Sequence, residues 1–436
     1  MFENPATALI FLMTIHWTTC LVPPKFQWKT IDFTWEGGTK EKAIADESYI
    51  PQNIMPTGLA RWQDKLFITI PRWKKGVPAS LNYIPLNGTQ QQPLTPYPSW
   101  HDAFVSSKAC CAATNNTVVS AFRVTVDKSD RLWVVDNGVA DMASQVRQIA
   151  DPAIFVFDLT NDKLIHKYVF RDDELKDCSV LTSIVVDESG GRNNTFAYIT
   201  DMGASALVVY SLAENCAWRV EHPLFKFDPD AGVYRVGGVD FYWSDGVSSA
   251  TLAPPLRDGT SDFYFHPTSS TKLFRISTRA LKNKYATRDE INKAMEIVGD
   301  RGPNSQATAC DMDQKRNVIF YTQLSKNGVG CWKVGAAFCE ENTPLVISDC
   351  NLLEFPNDLK VDPEGNLWIL SDRQSRFLYD AMDFEQFNFR ILTAPVAKVI
   401  EGSTCEKPVK PGSAKSKSKD DKQKGGFFKR NKSAGK

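Results

Sequence analysis

Two stretches of the chain, VDKSDRLWVVDNG (Val126 to Gly138) and VDPEGNLWILSDR (Val361 to Arg373), carry one pattern 235 residues apart. Each runs Val-Asp, a polar turn, Leu-Trp and two aliphatic residues before ending on small or polar ones, with the Asp five positions ahead of the Leu. Two short apolar runs around a polar turn are a β-hairpin signature, and recurrence of a hairpin is the mark of a repeat architecture. Looser copies stand at RWQDKLFITIP (Arg61 to Pro71), VVDESGGRNNTFAYITD (Val185 to Asp201), SDFYFHP (Ser261 to Pro267) and DMDQKRNVIFYT (Asp311 to Thr322). Anchored on Phe67, Trp133, Tyr198, Phe263, Phe320 and Trp368, six copies recur at intervals of 48 to 66 residues. Each interval has room for the hairpin and two more short strands. A four-stranded sheet has to bury its faces against neighbours, so the pattern predicts an all-β, six-bladed β-propeller with Trp133 and Trp368 packed between blades. Short β-branched or aromatic runs punctuated by Gly, Asn, Asp and Pro argue against a helix-rich alternative.

The 436 residues divide into three zones. The apolar run from Ala6 to Trp17 is too short to span a bilayer and is followed by small residues near Thr18 to Cys20, so 1–20 is expected to be a signal peptide. Residues 21–405 hold the propeller, and 42% hydrophobic residues with 26 Phe and 11 Trp supply ample core. From Glu406 to Lys436 there are eleven Lys or Arg against three acids, with almost no aliphatics. That composition predicts a disordered basic tail, because it cannot bury enough surface to offset the entropy of ordering. The tail could tether the protein to acidic extracellular matrix proteins or present Lys side chains to quinones during hardening. No stretch suits a membrane span, and nothing calls for nucleic acid. Ten cysteines, and sequons beginning at Asn87, Asn115 and Asn193, fit a secreted, extracellular glycoprotein with disulfides. If Cys20 leaves with the signal, nine cysteines remain, and at least one is unpaired within the chain.

The ordered stretches GLARWQDKLFITIPRWKKGVPASLNYIP (Gly58 to Pro85), VGGVDFYWSDG (Val236 to Gly246), YFHPTSSTKLFRISTRAL (Tyr264 to Leu281), RGPNSQATACDMD (Arg301 to Asp313), VGCW (Val329 to Trp332) and FPNDLKVDPEGNLWILSDR (Phe355 to Arg373) strongly resemble the insect yellow and major royal jelly protein family. The resemblance extends from Phe26 to Cys405. It implies a secreted six-bladed propeller, with relatives tied to cuticle or eggshell pigmentation and hardening, to nutrition in bees and to amine capture in saliva; a few are dopachrome-converting enzymes. The chain departs from the family at Ser129 and near Ala150, where a pair of cysteines is usual. Cys110 with Cys111, and Cys339 with Cys350, look like replacements or additions.

In a propeller the innermost strand of each blade lines a central channel. Aligned on the repeat, Thr57, Arg123, Thr182 with Ser183, Thr308 with Ala309, and Asn357 with Asp358 come to comparable positions. Such a ring suits a small aromatic amine or catechol-type ligand: Asp358 offsets a cation, Asn357 and Thr308 hydrogen-bond it, and Phe355 or Phe122 packs the ring. The resemblance implies the same Asn-Asp pair at the channel opening. A hard cation needs six or more oxygen ligands, and one pair is too few for a metal site. No HExxH, GxSxG, GxGxxG or CxxC motif occurs, no cofactor is called for, and the five His show no ligand spacing. The expected function is therefore a non-catalytic, ligand-binding propeller of cuticle or eggshell matrix. The alternatives are a dopachrome tautomerase, with Asp358 as the one channel candidate for the proton acceptor, and then a metal-dependent, lactonase-like hydrolase.

Overall fold

A computed structural model describes residues 22–105 and 116–409. It contains six four-stranded antiparallel sheets, one for each copy of the repeat. The innermost strands are Gly58–Trp62, Ala121–Val126, Leu181–Asp187, Val247–Leu252, Cys310–Asp313 and Phe355–Val361. Each touches the next and the last touches the first, so blades 1 to 6 close a ring around one axis. The chain is a six-bladed β-propeller.

All six anchor aromatics fall in the second strand of their blade and are buried. The repeat's Asp explains why the motif needs both residues. Trp133 Nε1 donates to Asp127 Oδ2 at 2.7 Å, Trp368 Nε1 to Asp362 Oδ2 at 2.8 Å, and the Tyr198 hydroxyl to Asp187 Oδ2 at 3.2 Å. The same carboxylates accept backbone N–H groups of the turn, from Ser129 and Arg131 to Asp127 and from Asn366 to Asp362. One Asp thus shapes the hairpin turn and orients the aromatic that fills the blade interface.

Six of the seven hydrophobic clusters among the described residues each lie between one pair of neighbouring blades. Closure between blade 6 and blade 1 depends on the chain's other end. Pro24–Trp28 pairs with Phe389–Pro395 as the fourth strand of blade 6, and its Phe26 and Trp28 pack with Leu59, Ile68 and Trp368. A disulfide between Cys331 and Cys405 ties the segment after the last strand back to blade 5 across 74 residues. On one face, the hairpin Val233–Val236 with Val239–Tyr242 packs on the helix Gln374–Tyr379. Ser375 and Arg376 donate to the Val236 and Gly237 carbonyls there.

Cys178, Cys216, Cys310, Cys339 and Cys350 are free thiols. The expectation that Cys339 with Cys350 form a replacement or additional bridge is therefore corrected: both are free, and the disulfide among the described residues is Cys331–Cys405. Ser129, at the position where the family resemblance implies Cys, donates to Glu188. The sequons at Asn87 and Asn193 sit in exposed loops. The expected signal segment 1–20, the Asn115 sequon, Cys110, Cys111 and the tail from Lys410 onward lie outside the described residues. No helix among the described residues is long and apolar enough to cross a membrane.

Candidate functional site: a throat and a chamber on the propeller axis

Four of the six inner strands carry an irregular register near their starts. The pairing of inner and second strand slips between Ala121 and Val124, between Leu181 and Ile184, between Val247 and Ser249, and between Pro356 and Asp358. A bulge re-aims the side chains it contains. The residues inside or bounding these bulges, Arg123, Thr182, Ser183, Ser248, Asn357 and Asp358, all converge on the axis, and Gly58 of blade 1 lets the strands close in. A Cβ there would lie 2.4 Å from the Phe122 carbonyl oxygen.

Arg123 spans this throat. Its guanidinium donates to Ser183 Oγ at 3.2 Å, to the Ser248 carbonyl at 3.2 Å and to the Asn357 carbonyl at 2.8 Å, and its Nε stands 3.3 Å from Asp358 Oδ1. One side chain thereby bridges blades 2, 3, 4 and 6. The Nε–Oδ1 contact is an ion pair without good hydrogen-bond geometry, since neither atom has a hydrogen-bond partner. Burial lowers the Arg123 pKa, opposed chiefly by the Asp358 charge. Asp358 Oδ2 accepts the Leu59 N–H at 3.0 Å, linking blade 6 to blade 1. Thr308 donates to the Asn357 carbonyl at 2.9 Å, Thr57 to the Phe122 carbonyl at 2.9 Å, and Thr182 and Ser183 to the Ser248 carbonyl. Asn357 spends its amide on Asp372 at 2.7 Å and Gln374 at 2.6 Å.

The residues singled out by the repeat alignment are thus brought together, but as a closed, internally bonded constriction. Asp358 was expected to face water and await a cation; it is 1% exposed and already holds Arg123. Phe355 is fully buried beside Tyr234, Val236 and Leu324. Two further groups near the throat are perturbed by desolvation. The Asp372 carboxyl is pushed up to about 8, and the Cys310 thiol to about 12.

About two residues further along each inner strand, roughly 7 Å at the rise of a strand, the axis opens into a chamber of about 610 Å³ lined by all six blades. By contrast, the void of about 20 Å³ beside Arg72 has room for one water. Opposite Phe67, Trp133, Tyr198, Tyr264, Phe320 and Trp368 of the second strands, the chamber ring is Ala60, Thr125, Val185, Thr251, Asp311 and Lys360; the blade 4 anchor Phe263 itself faces Leu252. Val126, Val186, Leu252, Met312 and Trp368 add apolar surface.

Most charges in the chamber wall are internally matched. Asp127 and Glu188 pair with Arg131, Asp187 with Lys282, Asp313 with Arg316, and Asp362 and Glu364 with Arg61. Asp311 and Lys360 are the exceptions inside the ring. Both are half-buried, and neither belongs to an ion pair among the described residues. Asp311 accepts the Val361 N–H at 2.8 Å and the Thr251 hydroxyl at 3.2 Å; burial raises its carboxyl above the ordinary value, with the Lys360 charge the first opposing influence. At the exposed rim, Lys128 and Lys315 also carry charge without an ion-pair partner. Asp311 and Lys360 escaped sequence reasoning although both lie in quoted stretches. The signal was there: the ring position holds small or apolar residues in the other copies, and DMD places a second carboxylate two residues before the repeat's Asp.

The major royal jelly protein family model matches residues 119–405, which takes in blades 2 to 5 and the three strands that the C-terminal part gives to blade 6. The chain belongs to the yellow and major royal jelly protein family. Protein yellow of Drosophila erecta is 34% identical to this family member over 414 residues, covering 93% of this chain and 75% of that protein. The L-dopachrome tautomerase yellow-f of Drosophila melanogaster is 35% identical over 406 residues, covering 87% and 93%. A dopaminechrome tautomerase of the same species is 34% identical over 389 residues, covering 87% and 83%. The resemblance carried by the ordered motifs is therefore a family membership, and the 93% of the chain matched to Protein yellow takes in blade 1 as well.

Proposed function

We propose that this chain is a secreted yellow-family protein that binds a small catechol-type ligand with a basic nitrogen in the chamber, and that it serves cuticle or eggshell pigmentation and hardening. The observation that carries the reading is an unpaired, half-buried carboxylate, Asp311, inside a chamber of about 610 Å³. That volume lies within the roughly 300–1,000 Å³ usual for small-ligand sites. The apolar wall of Val126, Leu252 and Met312 suits the ring, and Asp311 takes over the cation-accepting role that the repeat alignment suggested for Asp358. Secretion is supported by the disulfide and by the exposed sequons at Asn87 and Asn193, proposed as glycan sites. The basic tail is proposed as the contact to matrix proteins.

A second reading is favoured by one feature of the same residue. A carboxylate with a raised pKa, open to the chamber and without a counter-ion, is suited to taking a proton from a bound substrate, and two relatives are named tautomerases. On this reading the chain converts an aminochrome, with Asp311 as proton acceptor. Calorimetric titration of the purified chain with dopamine, run beside a dopachrome-decay assay, tests both. Binding lost in Thr125→Trp, which puts an indole into the chamber ring, with no turnover, supports the binding protein. Turnover lost in Asp311→Asn supports the enzyme. Binding unaffected by Thr125→Trp overturns both.

A further inference from the structure

Inside its ring, and among the described residues, the chamber holds two unmatched charges of opposite sign, and a ligand with one amine uses only one of them. Lys360 comes from the inner strand of blade 6 and Asp311 from that of blade 5, and the two strands are bound at this point because the N–H of Val361, the residue after Lys360, donates to Asp311. The neighbours are close enough for the Lys360 charge to act on Asp311, yet the two form no direct ion pair. An ammonium without a hydrogen-bond acceptor and a carboxylate without a cation among the described residues, on adjacent strands of a half-enclosed chamber, are a receptor for a dipolar group. An α-amino acid head presents a carboxylate and a nitrogen from one carbon, one charge for each of the two groups.

We propose that Lys360 and Asp311 form a zwitterion clamp that selects ligands retaining an amino-acid carboxylate over the corresponding decarboxylated amines. Asp311 takes the ligand nitrogen and Lys360 the carboxylate, while the ring lies on Val185, Leu252 and Met312. The inference rests on the chamber being the ligand site, as proposed above, and adds the chemical class that the chamber prefers. Charge on the rim cannot substitute, because Lys128 and Lys315 are exposed to solvent and are screened.

The test is calorimetric titration of the full chain, under reducing conditions, with L-dopa and with dopamine, which differ only in the carboxylate. Wild type should bind L-dopa at least about tenfold more tightly than dopamine, the factor expected of one charge-assisted hydrogen bond. Lys360→Gln should erase that ratio, Lys360→Arg should keep it, and Lys315→Gln should leave it unchanged. Asp311→Asn should weaken both ligands. An equal preference in wild type, or a ratio that survives Lys360→Gln, overturns the clamp. If in that case Thr125→Trp still abolishes dopamine binding, the chamber remains the ligand site and only the selectivity inference falls. Binding that persists in Thr125→Trp, or no binding of either ligand to wild type, overturns both.

Discussion

Replacing Asp358 by Asn removes one charge from the throat while keeping the side chain's size, and the structure sets the expected cost. Asp358 is buried, its Oδ1 lies 3.3 Å from Arg123 Nε, and its Oδ2 holds the Leu59 N–H. Breaking one partner of a buried ion pair typically costs about 3–5 kcal/mol, mostly from the uncompensated charge left behind. The lower end applies here. Arg123 keeps its bonds to the Asn357 and Ser248 carbonyls, and an Asn oxygen can still accept from Leu59. The expected loss is therefore about 3 kcal/mol for Asp358→Asn and similar for Arg123→Met, which strands the carboxylate. The double variant leaves no buried charge and should recover at least about 1.5 kcal/mol relative to the sum of the single variants. Urea unfolding followed by tryptophan fluorescence measures all three. If Asp358→Asn costs less than about 1 kcal/mol, or if the two losses simply add, the throat is not held by this pair and Asp358 is free to serve a ligand.

Two further outcomes concern Trp368 and Asp372. Trp368→Ala should cost about 3–5 kcal/mol as a cavity opens between blades 6 and 1, whereas Trp368→Phe should cost about 1–2 kcal/mol, because Asp362 keeps Asn366 and Arg61 when the indole N–H is lost; equal losses in urea unfolding would place the weight on the hydrogen bond. Asp372 gives a pH dependence. Its carboxyl is raised from 3.8 to about 8 in the folded chain, chiefly by burial, with Glu354 raising it and Asn357, the Gln374 N–H and Arg123 lowering it. Between those values the unfolded chain has released the proton that the folded chain keeps, so this group's contribution to stability falls as pH rises from about 4 to 8 and levels off above. The stability difference between wild type and Asp372→Asn should then favour wild type more at pH 5 than at pH 8, by more than about 1 kcal/mol in urea unfolding; a difference independent of pH refutes the raised pKa.

What the sequence disclosed and what it hid differ in the range over which their causes act. Phe67, Trp133, Tyr198, Phe263, Phe320 and Trp368 were visible because each sits in a local hairpin whose turn is set by residues within six positions, as Asp127 and Trp133 show. The closing strand Pro24–Trp28 was not, since its partner lies at Phe389–Pro395 and its few residues carry no repeat. At the throat the alignment picked residues that do meet. It misjudged their exposure because a bulge at Asn357 or Arg123 leaves no mark in composition, and because the partner of Asp358 is 235 residues away in blade 2.

The division of the axis into two levels bears on how such a site can change its ligand. Throat residues are coupled: Arg123 alone engages four blades, so substitution there is felt as lost stability before it is felt as altered binding. Chamber residues two positions along are less coupled: Ala60 and Val185 carry no charge and, among the described residues, Lys360 is in no ion pair, while Thr125 and Asp311 still bond neighbouring blades through Ile184, Thr251 and Val361. Changes at additive, unpaired positions alter the ligand without disturbing the ring. A relative with the same throat but an uncharged residue in place of Lys360 should therefore be as stable as this chain and differ from it in ligand preference, because the fold is fixed at one level of the inner strands and the chemistry is chosen at the other.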